Sequence, residues 1–268
     1  MSGLAAAAGS FAAQQALRHL SLPSWDRTNF AGHSTSLSGG LDVLAGLLAG
    51  STVAGRAGIA QGAAPAIAAV LAAAGGYVDD HLEQRFPATG KGFKGHLGAL
   101  REGRVSSGIV KIAAAGAGSL AAAGLLARSR GKDALGGAGE AVFDAAIIAL
   151  TANLMNLLDL RPGRARKAAI AIAAVPAAAE SASARAAIGA ASAGIAADLD
   201  GCTMLGDLGA NALGAHLGVT LACCPPKVKV GILAALVALN AASEKVSFSH
   251  VIENTPGLRE LDLLGRSG

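Results

Sequence analysis

Residues 199–214 read Leu199-Asp200-Gly201-Cys202-Thr203-Met204-Leu205-Gly206-Asp207-Leu208-Gly209-Ala210-Asn211-Ala212-Leu213-Gly214. This is a polar, glycine-broken turn between two apolar runs, with Asp207 at the boundary where the second run begins. An unpaired carboxylate buried against hydrocarbon is costly, so an ionisable residue at such a boundary marks a candidate functional site. Gly206 and Gly209 are expected to leave the backbone beside it open to close approach by an ion or a phosphate. Aspartate is also a good helix N-cap, and that reading stands beside the functional one.

The two runs belong to a pattern that covers the chain. Of 268 residues, 52% are hydrophobic and only 15% charged, and the mean hydropathy is +0.49. Ordinary soluble domains carry roughly 25% charge. The apolar residues fall in long blocks with the charge gathered between them, which is the organisation of a membrane protein. Much of each block is alanine and glycine, which insert into a bilayer less readily than leucine or isoleucine, so an alanine-rich soluble bundle is the alternative. Cys202, Cys223 and Cys224 do not form a disulfide framework, because two are adjacent and the count is odd. The histidines never fall at zinc-ligand spacing with a cysteine pair, so a bound metal is expected to be a hard ion on oxygen ligands. The start, Met1-Ser2-Gly3-Leu4, lacks a basic segment, and no cleavable signal is expected.

Nine apolar runs follow one another: 4–20, 39–54, 59–78, 108–126, 138–158, 168–179, 186–197, one ending at Cys224, and 228–242. The expectation is a single all-α transmembrane domain over 1–268, with about nine transmembrane helices. With that number of spans, loops 21–38, 79–107, 159–167 and 199–208 and the tail 243–268 share one side of the membrane. Their side carries fifteen Lys and Arg against seven on the other, which makes it cytoplasmic and puts the N-terminus outside. Trp25 is expected to anchor at the interface, and Asp42, just inside the second run, to face a cavity. The loop segment Gly90-Lys91-Gly92-Phe93-Lys94-Gly95 is not a P-loop: Arg85 stands where the first glycine is needed, and no Ser or Thr follows the lysine. The basic character tracks one membrane side with few aromatics interleaved, so no nucleic-acid partner is expected.

Three clusters meet at the cytoplasmic face: Asp79-Asp80 after the third run, Asn153, Asn156 and Asp159 at the end of the fifth, and Asp207. Asn153 and Asn156 are three apart on a helix and are expected to share a face that Asp159 extends. Carboxylates with amide oxygens suit Mg²⁺, and basic loops beside them suit a diphosphate, which together form the chemistry of phosphoryl transfer.

In these motifs the chain resembles the polytopic polyprenyl-phosphate N-acetylhexosamine-1-phosphate transferases. Asp79-Asp80 resembles the family's aspartate pair, Asn153-Leu154-Met155-Asn156-Leu157-Leu158-Asp159 its N-x-x-N-L-x-D motif, and Met204-Leu205-Gly206-Asp207-Leu208-Gly209 its M-G-D-x-G motif. Gly39-Gly40, and Lys91 with Lys94, match in the right order. The resemblance spans residues 38–214. It departs at Pro162, where the family carries a further Asp, at Ala210 in place of a Ser, and in the missing His- or Arg-rich loop and last span.

The resemblance implies a multi-pass plasma-membrane enzyme of cell-envelope glycan synthesis that moves a sugar-1-phosphate from a UDP-sugar to polyprenyl phosphate and releases UMP. It implies Mg²⁺ on Asp207 and Asn156, with Asp79 and Asp80 positioning or deprotonating the lipid phosphate. Lys91 and Lys94 meet phosphates on this reading, and Asn153 and Asp159 belong to the substrate site. Partners are then polyprenyl phosphate, a UDP-sugar, membrane lipid and, in a homodimer, a second copy. A non-catalytic homologue that binds lipid phosphate or joins a cell-wall complex is the alternative, favoured by Pro162 and the shortened C-terminus.

Overall fold

The computed structural model describes residues 1–20, 22–28, 32–86, 98–99, 101–133, 136–175, 178 and 180–266. In chain order the elements are α1 (Ser2–Leu17), the antiparallel hairpin β1 (Asp26–Thr28) and β2 (Ser34–Ser36), α2 (Gly39–Ala54) and α3 (Ala63–Leu82). There follow α4 (Ser107–Ser129), α5 (Ala138–Leu158), α6 (Arg164–Ala173), α7 (Ala182–Ala193) and α8 (Ile195–Leu199). The chain continues through α9 (Gly206–Ala222), α10 (Pro226–Ser243), α11 (Phe248–Asn254) and α12 (Leu258–Leu263). The all-α expectation holds apart from the hairpin, whose polar sequence carried no strand pattern.

The run that begins at Asp207 becomes the axis of the bundle. Every residue of α9 except Asp207 is buried, as befits a helix that is apolar all round. It packs on α3 and α5, with α2 and α7 closing the ring. Helices this close need small residues at the crossings. A Cβ on Gly214 would lie 2.6 Å from the Ala152 Cα, and one on Gly218 would lie 2.5 Å from the Ile148 Cα. Glycine and alanine in the blocks are therefore the packing surface, in the manner of membrane helix pairs.

Many of the large apolar side chains point the other way. Ile67, Val70, Leu120, Val142, Val230 and Val237 are all exposed, while the core is mostly alanine. Among the described residues three helices, α4, α5 and α10, are long and apolar enough to cross a membrane, which indicates membrane association. The sixth and seventh runs fold only as α6 and α7, of 10 and 12 residues. At 1.5 Å per residue these reach about 15 and 18 Å, short of the ~30 Å hydrocarbon core, so neither spans it alone. The nine-span count is thus not what these helices support one by one.

Two loop arginines also moved inside. Arg164 and Arg166 sit in α6, 5% and 0% exposed, because each has acidic partners far along the chain. Arg166 Nε donates to Asp198 Oδ2 at 3.0 Å, and its Nη2 donates to both oxygens of Asp42 at 3.1 Å. The remaining guanidinium donors reach the carbonyls of Gly39, Ala190 and Ala191. Asp42 therefore faces Arg166 and not an open cavity. Arg164 pairs with Asp262 of α12 and Ser249 of α11, which folds the polar tail back onto α6.

Candidate functional site

At Gly76, nearly two turns before its end, α3 runs against the first turn of α9 so closely that a Cβ there would sit 2.3 Å from the Asp207 carbonyl oxygen. That crossing brings Asp79 and Asp80 beside Asp207. Asp80 spans the start of α9: Oδ1 accepts from the Asp207 amide at 3.2 Å and Oδ2 from the Leu208 amide at 2.9 Å. The first N–H groups of a helix lack intrahelical partners and favour negative charge, so Asp80 caps α9 from another helix. Asp207 itself makes no capping bond. Its Oδ2 meets Lys111 Nζ of α4 at 2.6 Å, and Lys111 also meets Asp79 Oδ2 at 2.6 Å.

The flanking glycines serve this packing instead of holding the backbone open. Gly209 lies against Gly40 of α2, where a Cβ would be 2.5 Å from the Gly40 Cα. Gly206 has a φ of +62°, a conformation that side-chain-bearing residues rarely adopt, and its Cβ would come within 3.0 Å of Asp80 Oδ2.

Beside this corner lies a cavity of about 580 Å³, lined by Arg27, Asp80, Asn156, Asp159, Arg161 and Asp207 among others. One wall is residues 201–204, which β2 holds through Met204 N to the Ser36 carbonyl at 2.9 Å and Ser36 N to the Cys202 carbonyl at 3.1 Å. Asp159 closes the C-terminus of α5, 6% exposed, and its Oδ2 has no hydrogen-bond partner among the described residues. Burial pushes its carboxyl well above the ordinary value, the Asp198 charge adds to this, and Arg166 opposes it.

Asn153 is not at the cavity. Its Nδ2 donates to Asn240 Oδ1 of α10 at 2.6 Å, on the seam between α5 and α10. Three residues turn a helix by about 300°, and the remaining 60° separates Asn156, inside, from Asn153, outside. Lys91 and Lys94 lie outside the described residues. Arg27 and Lys111 were missed by the sequence reading. Lys111 carried a usable signal, since it is a lone cation just inside an apolar run, the same argument that singled out Asp207.

Among the described residues no group of three His, Cys, Asp or Glu side chains is gathered as a metal cage. The donors at the cavity are nonetheless all oxygens: Asp207, the Asn156 amide and the unpartnered Asp159 Oδ2. Mg²⁺ commonly takes one or two carboxylates and completes its shell with water and substrate phosphate, so this set fits it. Compared with family models, with curated proteins and with solved structures, the chain matches none.

Proposed function

We propose that the chain is a multi-pass plasma-membrane phosphoglycosyl transferase that moves a sugar-1-phosphate from a UDP-sugar onto polyprenyl phosphate in cell-envelope glycan synthesis. An oxygen of the lipid phosphate attacks the sugar-bearing phosphorus. The bond from that phosphorus to the bridging oxygen breaks, and its electron pair leaves with UMP. The observation that carries the reading is that Asp80, Asn156, Asp159 and Asp207, from three distant helices, line one cavity.

Asp207, Asn156 and Asp159 are the residues that would hold Mg²⁺, which when bound supplies neutralisation of diphosphate charge. Both oxygens of Asp80 already accept backbone amides, and Asp79, whose Oδ2 is held by Lys111, is not among the residues that line the cavity, so both aspartates position the helices around the site. Arg27 and Arg161 at the cavity wall suit phosphate oxygens.

The topology proposed has the N-terminus outside and the C-terminus cytoplasmic. On this proposal seven helices of 16 to 23 residues, α1–α5, α9 and α10, cross the bilayer, of which α4, α5 and α10 are long and apolar enough to do so by themselves. The α6–α7 pair either crosses twice in part or returns, and both leave the two ends on opposite sides. Leaving out the buried Arg164, Arg166 and Lys229 gives thirteen against six, still favouring the cavity side as cytoplasmic.

A second reading is the non-catalytic homologue. It is favoured by Lys111, which already occupies Asp207, and by Pro162 on the cavity wall. A UMP-release assay with Mg²⁺, polyprenyl phosphate and a panel of UDP-sugars decides between them. Transfer should be found and should fall by at least about a hundredfold in Asp207→Asn while the variant melts normally. Wild-type protein inactive with every sugar nucleotide would leave the non-catalytic reading.

A further inference from the structure

We infer that the C-terminal tail regulates the cavity: Glu253 of α11 holds Arg161 in place of a ligand phosphate, and a diphosphate entering the cavity releases α11. This rests on the reading of the cavity as a diphosphate site. The tail lies outside residues 38–214, which carry the family resemblance, and nothing in that resemblance gives it a role.

The segment 160–164, whose first three residues line the cavity, is tied to the tail at three points. Arg164 meets Asp262 of α12 through a two-oxygen fork, Nε to Oδ1 at 2.8 Å and Nη2 to Oδ2 at 2.9 Å, and both side chains are 5% exposed. Arg266 Nε donates to the Pro162 carbonyl at 3.0 Å. Arg161 meets Glu253 differently. Its Nε at 3.1 Å and Nη2 at 3.0 Å share the single oxygen Oε1, and the two side chains are 23% and 47% exposed.

A fork through both oxygens is the strong form of this pair, and breaking a buried one leaves an uncompensated charge. An exposed pair on one oxygen contributes little and exchanges readily for another anion. The tail thus has a firm anchor in α12 and a loose contact in α11.

The loose contact is the one that bears on the cavity. Arg161 lines it together with Arg27, whereas among the described residues none of the tail does. Glu253 therefore reaches the guanidinium from outside and takes the Nε and Nη2 edge, while Nη1 donates to the Leu160 carbonyl at 3.1 Å. A phosphate accepts two parallel bonds from such an edge and carries more charge than a carboxylate, so it displaces Glu253. The carboxylates of the cavity require Mg²⁺ to accompany the anion. Coupling between two binding events is reciprocal, so whatever Glu253 costs the ligand, the ligand costs the docking of α11. α12 stays on Arg164 throughout.

The test uses the full chain in detergent micelles, with Mg²⁺ and inorganic pyrophosphate as the probe, read by calorimetry and by amide hydrogen exchange. Glu253→Gln should tighten pyrophosphate binding by about threefold, and Glu244→Gln, which removes an equal charge elsewhere on the tail, should leave it unchanged. Pyrophosphate should speed exchange at residues 251–257 of the wild type by about threefold and leave residues 259–264 as they were. Exchange at 251–257 that is unchanged or slower with pyrophosphate would overturn the coupling. So would unchanged or weaker binding in Glu253→Gln, or equal gains in the two variants. Pyrophosphate that binds none of these proteins would overturn it together with the diphosphate site. UMP release on the same preparation reports separately on the transfer step, so loss of the coupling with UMP release intact leaves the transferase reading standing.

Discussion

Lys111 Nζ lies 2.6 Å from Asp207 Oδ2. The single residue of the central helix that is not buried is therefore tied to α4, a helix that packs chiefly on α3 and α5. Asp79 completes the arrangement from α3, also at 2.6 Å, so one ammonium group holds two carboxylates together where three helices meet.

Lys111→Met should leave Asp79 and Asp207 as neighbouring like charges. The expected cost is about 2–3 kcal/mol, because a largely buried charge loses its partner. Millimolar Mg²⁺ should restore much of the lost melting temperature in the variant and change the wild type little, since a divalent cation can replace the ammonium. A Lys111→Met melt that ignores Mg²⁺ would count against a cation site at Asp207.

Asp159 gives a pH test. Burial raises its carboxyl above the ordinary 3.8, so its contribution to stability is complete below that value and is lost as pH rises through the raised one. Asp159→Asn should match the wild type at pH 4 and exceed it by about 1–3 kcal/mol at pH 8, where the wild type must bury a charge. Transfer activity should be lost in the same variant. Parallel melting curves for the two proteins across that range would contradict the assignment.

Arg166→Met leaves Asp42 and Asp198 buried without a cation, and should cost about 3–5 kcal/mol. Arg166→Lys should recover little, because an ammonium cannot reach both carboxylates and the carbonyls of Gly39, Ala190 and Ala191. Adding Asp42→Asn to Arg166→Met should restore part of the loss. Full additivity of the two changes in a thermal-melt cycle would mean that the pair is not coupled.

The tail gives the opposite pH sign. Burial alone would lift Asp262, but hydrogen bonds and charge from Arg164, with the Arg266 charge, outweigh it and hold the carboxyl below 3.8. Its contribution is complete above the ordinary value and lost only as pH falls through the lower one. Docking should therefore persist at neutral pH and fail in acid below about pH 3.8. At pH 7, Arg164→Ala should speed proteolysis at residues 255–257 by about tenfold. Equal cleavage rates in variant and wild type would mean that the Arg164 pair does not hold the tail.

Block hydropathy in the sequence was enough for the helical class, for the order of the long helices and for the gathering of Asp80, Asn156, Asp159 and Asp207 at one end of them. Alternate boundaries of a helical array fall on one face, and that is a property of linear order. Which side chains share a pocket there was decided only in three dimensions. A 60° turn separates Asn156 from Asn153, and Gly206 and Gly209 serve a helix crossing where the sequence suggested an open backbone. Arg166 read as a loop charge because its partner Asp42 lies 124 residues away. In a core of alanine and glycine, hydropathy barely distinguishes one helix face from another. Contacts are then chosen by van der Waals fit and by which distant carboxylate meets which cation, and neither is written in the local pattern.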